Sequence, residues 1–138
     1  MNNFSKRSSK RLESCHPALQ ELFYTVLEEI NCSILEGHRG KELQEIYYNS
    51  NKSTLDWPDS KHNKVPSLAV DAAPYPIDWN DTDRFYYFAG VVKGVASQLG
   101  IDIRWGGDWD RDNNLKNQKF FDLPHFELVG DKYVNDND

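Results

Sequence analysis

Residues 67–72, Ser67-Leu68-Ala69-Val70-Asp71-Ala72, alternate between apolar side chains and small or ionisable ones, which is the two-residue period of a β-strand with one face on a core. Leu68 and Val70 share one face, and Ser67, Ala69 and Asp71 share the other. Downstream, His125-Phe126-Glu127-Leu128-Val129 repeats the pattern, with Phe126 and Leu128 on the apolar face and His125 and Glu127 opposite. Two such strands predict a sheet that is half buried. If they are neighbours, Asp71 and His125 point into one shallow cleft.

Outward from these strands, Asp81 or Thr82 caps a helix that runs through Phe85, Phe88, Ala89, Val92, Val95, Ala96 and Leu99 and stops at Gly100, a preferred glycine position at a helix end. Pro17 fits the first turn of an earlier helix. Its apolar face is Leu19, Leu22, Phe23, Val26, Leu27 and Ile30 at three- and four-residue spacing. Cys32 to Glu36 reads as a short strand ended by Gly37, Lys41 to Tyr48 as a short helix, and Ile101 to Trp105 as a further strand. The polar stretch from Asn49 to Val65 is a long loop, and loops of that length in compact domains are usually functional. No repeat or linker interrupts residues 1–138, so a small single α+β domain is expected, an antiparallel sheet with helices packed on one face.

Composition narrows the partners. The 138 residues include 16 Lys and Arg against 22 Asp and Glu, a net charge of -6. Such a surface argues against a sequence-independent grip on a nucleic acid backbone, and no nucleic acid partner is expected. Lys6, Arg7, Lys10 and Arg11 form a basic start that reads as a solvated terminus. Cys15 and Cys32 are too few for a disulfide framework. They are expected to stay reduced, although one bridge between a helix start and a strand start remains open on sequence. The chain holds no apolar run of membrane-spanning length and no signal peptide. The expectation is a cytoplasmic monomer without membrane insertion.

His62, at the end of the long loop, can close on the point shared by Asp71 and His125. Two imidazole nitrogens and a carboxylate oxygen form the donor set of a catalytic zinc site, with a fourth tetrahedral position left for water. The cleft is therefore expected on the sheet face opposite the helices. Asp122, three residues before His125, is a carboxylate suited to act as general base beside such a metal. Asp108, Asp110, Asp112 and Asn114 form an alternating oxygen series resembling the opening of a calcium loop. Asn113 stands where such a loop has its glycine, and Lys119 where it has its glutamate. Trp79 and Trp105 are assigned to packing, while Trp109 is left open between packing and the cleft wall. His38 reads as a rim residue, and His16 lies outside the site.

These residues also carry a family resemblance. Ser60-Lys61-His62 with Ala69-Val70-Asp71, and Asp122-Leu123-Pro124-His125-Phe126-Glu127-Leu128, resemble the paired signature of zinc peptidases. That family includes D-alanyl-D-alanine carboxypeptidases and phage-type L-alanyl-D-glutamate endopeptidases. Glu36-Gly37-His38-Arg39 with Gln44 resembles the family's Gly-x-Arg segment and following glutamine, and Arg104-Trp105-Gly106-Gly107-Asp108-Trp109 its Trp-Gly-Gly-Asp-Trp strand end. The motifs run in order from about residue 36 to 129. His62 and Asp71 lie further apart than in the family's commonest form, the extra length falling in the loop through Pro66 and Ser67.

The resemblance implies that His62, Asp71 and His125 bind Zn2+, that Asp122 is the catalytic base, and that Arg39 meets the substrate or the developing oxyanion. Ser60 and Gln44 would hold substrate, and some phage-type members use the acidic loop for Ca2+. The implied substrate is a peptidoglycan stem peptide, cut between L-alanine and D-glutamate. The implied setting is a phage or prophage lysis enzyme that waits in the cytoplasm and reaches the cell wall through a membrane pore. Two alternatives are a D-alanyl-D-alanine carboxypeptidase and a zinc-containing wall-binding or structural module without turnover. Asp122 and Arg39 weigh against the module, because a structural zinc site is closed by four protein ligands.

Overall fold

The structure is a computed structural model, and it describes residues 1–118 and 121–134. Lys119, the expected twelfth calcium-loop position, lies outside the described residues, as do residues 135–138. Four helices and four strands follow in the order α1 (Lys6–Glu13), α2 (Pro17–Glu29), β1 (Cys32–Glu36), α3 (Lys41–Asn49), β2 (Ala69–Pro74), α4 (Thr82–Leu99), β3 (Ile103–Gly106) and β4 (Asp122–Leu128). The strands form one antiparallel sheet in the order β1-β2-β4-β3. This is the expected α+β arrangement.

Helices α2 and α4 cover the apolar face. Phe126 of β4 lies between them in edge-to-face contact with Phe23 at 5.6 Å and Phe88 at 6.0 Å. Val70 and Ala72 of β2, with Leu128 of β4, complete that layer. Removing a phenyl ring so enclosed costs about 3–5 kcal/mol, so Phe126 secures the strand that carries His125. At the end of α4, Gly100 takes a left-handed φ of 71° and its N–H reaches back to the helix carbonyls.

The basic terminus differs from its expected form. Residues 6–13 fold as α1, because Ser8 and Leu12 share an inward side and are buried. Ser8 is tied to the Ile34 backbone N–H at 2.9 Å, and the Arg11 guanidinium to the Ile34 carbonyl at 3.1 Å. Lys6, Arg7 and Lys10 remain exposed on the outer side. A Cβ on Gly37 would stand 2.3 Å from the Arg11 carbonyl oxygen, so α1 approaches the chain after β1 at a distance only glycine allows. Trp79 is a second correction. Its ring stacks on Phe85 at 5.3 Å but is 60% exposed, so it is a surface residue, unlike Trp105, which is buried.

Candidate metal centre

The register of the sheet builds the first half of the site. Asp71 of β2 stands directly opposite His125 of β4, on the face away from α2 and α4. Asp71 Oδ1 lies 3.3 Å from His125 Nδ1 and 3.3 Å from His62 Nε2. His62 arrives from a single turn of tight helix over Lys61–Asn63, whose first N–H groups are capped by the Ser60 side chain. Ser60 Oγ accepts from the His62 N–H at 3.2 Å, and Asn63 Oδ1 accepts from the Ser60 N–H at 3.2 Å. The capping box fixes where the imidazole begins.

Each ring is turned by its other nitrogen. His62 Nδ1 donates to the Gly37 carbonyl at 2.8 Å, which leaves Nε2 as a lone-pair donor toward Asp71. His125 Nε2 meets Glu127 Oε1 at 2.8 Å, which directs Nδ1 toward the same point. His62 Nε2 and Asp71 Oδ1 are buried without a hydrogen-bond partner, an uncommon condition that calls for an ion or a chemical role. Nitrogen and oxygen ligands about 2.0–2.1 Å from a tetrahedral zinc stand about 3.3–3.4 Å apart, so the two 3.3 Å separations suit that ion. The residues present fit the metal.

The charges around the site are strongly biased. Burial works to raise the Asp71 carboxyl, but the facing His125 and His62 rings outweigh it and hold it well below the usual carboxylate range. Burial works to lower His125, and Asp71 and Glu127 overcome it, lifting the imidazole to about 9. For Asp122 the balance goes the other way: burial, then the charge of Asp71, push its carboxyl up against the opposing His125, His62 and Arg39. A carboxylate raised in this way is better matched to accept a proton near neutral pH.

Asp122 reaches this side of the sheet through a register shift. Trp105 pairs with Phe126, whereas Gly106 pairs with Asp122, so residues 123–125 of β4 bulge between those partners. Strict alternation would have put Asp122 on the face of Phe126. The shift also accommodates Pro124, which has no N–H to give. A Cβ on Gly106 would stand 2.0 Å from the Asp122 carbonyl oxygen, and Trp105 Nε1 donates to the Leu123 carbonyl at 2.7 Å. The Trp-Gly segment is thus the ledge on which Asp122 rests.

A cleft of about 550 Å³ opens over these groups. Arg39, Ser60, His62, Asp122 and His125 line it, with Lys61, Arg104, Trp109 and Glu127, and Lys52 to Leu55 form one wall. The Trp109 ring is 5.3 Å from that of His125, which places it at the cleft. Arg39 is buried, paired with Glu36, bonded to Gln44 Oε1 at 2.8 Å and set 4.5 Å from the Tyr47 ring centroid.

Gln44 is fully buried behind the wall. Its side chain is spent on Arg39, Asn63, Ser53 and the Leu55 carbonyl. The substrate contact expected of it is replaced by a supporting one, because no face of the amide reaches the cleft. Asn63, absent from the expected residues, joins the same network by donating to the Arg39 carbonyl at 3.1 Å. Its signal was the Ser60-x-x-Asn63 cap spacing. His38 is exposed, its backbone N–H donating to Ser14 Oγ at 2.9 Å, and His16 caps α2.

The acidic loop brings Asp108, Asp110 and Asp112 together, their oxygens within 4.8 Å of one another. The Asn114 side chain accepts from the Lys116 N–H at 3.0 Å. Cys15 and Cys32 are buried free thiols, each pushed up to about 12 by burial. Among the described residues, no helix is long and apolar enough to cross a membrane.

Comparisons with known proteins follow the same lines. The family model described as phage L-alanyl-D-glutamate peptidase matches residues 1–129. The L-alanyl-D-glutamate peptidase of Escherichia phage T5 is 32% identical over 136 residues, covering 91% of this chain and 97% of the relative. The crystal structure of the Serratia marcescens L-Ala D-Glu endopeptidase ChiX superposes with a TM-score of 0.73 at 26% identity, covering 94% of this chain and 90% of the other.

Proposed function

The chain belongs to the phage L-alanyl-D-glutamate peptidase family, and from that premise we propose a metal-assisted cleavage of peptidoglycan stem peptides centred on His62, Asp71 and His125. As a member of that family it is a peptidoglycan endopeptidase. The observation that carries the metal reading is the convergence of His62 Nε2, Asp71 Oδ1 and His125 Nδ1, two of them buried and unpartnered. A zinc ion held there would supply a polarised scissile carbonyl and a more acidic water. Asp122 takes the proton of the attacking water and returns it to the leaving amine, a role suited to its raised carboxyl. Arg39, fixed by Glu36 and Gln44, presents a positive charge at the wall where the carbonyl oxygen becomes negative. Ser60 holds the His62 turn in place and presents a cleft surface for substrate backbone.

The bond cut is the L-alanyl-D-glutamate amide, the linkage named for both relatives, which favours internal cleavage over removal of a terminal D-alanine. The chain works as a lysis enzyme, a monomer that meets the wall after leaving the cytoplasm through a membrane pore. The Asp108, Asp110 and Asp112 group is a second, weaker cation site suited to calcium by its all-oxygen ligands. Mass spectrometry of purified peptidoglycan after digestion separates the readings. New peptides beginning with D-glutamate support the endopeptidase, and loss of terminal D-alanine alone refutes it.

A further inference from the structure

Glu127 is a buried carboxylate that the reaction as set out does not use. It gathers three donors from three separate segments. His125 Nε2 lies 2.8 Å from Oε1. Lys61 Nζ lies 3.0 Å from Oε2, and Arg104 reaches the same Oε2 with Nε at 3.3 Å and Nη2 at 3.1 Å. A buried charge is costly to desolvate before its partners offset it, so a carboxylate held this way on a sheet face points to a role beyond packing. Its two oxygens are divided between two kinds of partner. One is given to the imidazole and the other to the cations.

We propose that Glu127 is a positioning residue for the metal centre, holding the His125 proton on Nε2 so that Nδ1 is aimed at the metal. Lys61 and Arg104 occupy the second oxygen and neutralise the carboxylate, so it orients the imidazole without itself becoming a ligand. A carboxylate on the far nitrogen of a ligating imidazole also makes the near nitrogen a better electron donor. The alternation of β4 places both residues on one face, with His125 opposite Asp71 and Glu127 opposite Ala69 of β2. The inference rests on His125 being a metal ligand.

Zinc affinity, measured by competition with a chromogenic chelator on the full chain, tests this role. Glu127→Ala is expected to raise the zinc dissociation constant about 10- to 100-fold, while the melting temperature of the metal-free protein does not fall in proportion. Glu127→Gln keeps an acceptor oxygen but loses the charge, and is expected to bind zinc several-fold more weakly than the wild type and more tightly than the alanine variant. Wild-type zinc affinity in folded Glu127→Ala overturns the assignment. If that variant does not fold, wild-type affinity in Glu127→Gln overturns it equally. His125→Ala is the control: if it holds zinc as the wild type does, the metal-centre reading itself fails, whereas zinc lost there and kept in Glu127→Ala removes only the role of Glu127.

Discussion

Among the described residues, two groups of acidic and histidine side chains bring ligand atoms within 4.8 Å of one another, His62, Asp71 and His125 over the sheet face and Asp108, Asp110 and Asp112 on a loop. In the first, two strands and a capped turn hold the residues, and two ligand atoms are buried with no hydrogen-bond partner. In the second, Asp110 and Asp112 are exposed and occupied. Asp112 accepts from the Asn114 N–H and the Asn117 amide, and Asp110 from Gln118. Only Asp108 is buried there, with Oδ1 unpartnered while Oδ2 accepts from the Asn113 N–H and faces Lys93 at 3.8 Å. Proximity of ligands alone therefore does not distinguish a site. The sheet site differs in that two of its three ligand atoms are buried and unsatisfied, against one in the loop, and in the strands and capped turn that hold them.

The sharpest way to break this contrast is to remove one ligand from each group. His125→Ala is expected to lose both bound zinc and hydrolysis, whereas the double variant Asp110→Asn and Asp112→Asn keeps both. Equal losses, read by metal content and by release of new amino groups from purified peptidoglycan, would make the two groups equivalent. Asp122→Ala separates binding from chemistry within the sheet site. It should retain about one zinc per chain while hydrolysis falls by about 10²- to 10⁴-fold, and hydrolysis at the wild-type rate removes Asp122 as the base.

The sequence shows why one group was easier to read than the other. The alternation in residues 67–72 and 125–129 sets Asp71 and His125 on the faces of their strands opposite the apolar residues, and the antiparallel pairing of β2 with β4, which local patterning does not reveal, brings them directly across from one another. Asp122 is placed beside them by its position three residues before His125 and by motif resemblance, not by strand alternation. The bulge over residues 123–125 that turns it to the cleft depends on Gly106 and Pro124, a long-range fit invisible in local patterning. Helix α1 was hidden for a related reason. Its charged residues dominate its composition, whereas the burial of Ser8 and Leu12, the Ser5 cap and the Ser8 and Arg11 bonds to Ile34 hold it as a helix. Gln44 reads as a substrate contact in sequence because residue order does not tell a cleft surface from the wall behind it.

A smaller effect comes from pH. In the metal-free protein the His125 imidazole titrates at about 9, against about 6.5 in the unfolded chain. A raised value in the folded state means its stabilisation is complete below pH 6.5 and lost as pH rises through 9. The melting temperature of the metal-free protein should therefore decline across that window, and zinc should flatten the decline by taking the place of the proton. A metal-free melting temperature that stays level from pH 6.5 to 9 contradicts the His125–Asp71–Glu127 charge arrangement. The smallest expected effect belongs to the loop. Calcium added to the zinc-loaded protein should raise the melting temperature by a few degrees at most, as a weak ligand of the folded state does, and no shift at saturating calcium removes the second cation site.

The reading of the sheet site is tested most directly by a cycle of metal removal and return. Protein stripped of metal by a chelator should release no new amino-terminal glutamate from purified peptidoglycan, and about one equivalent of zinc per chain should restore the release. Stripped protein that still cleaves, or zinc that rebinds and restores cleavage in a chain lacking His62, Asp71 and His125, would contradict it.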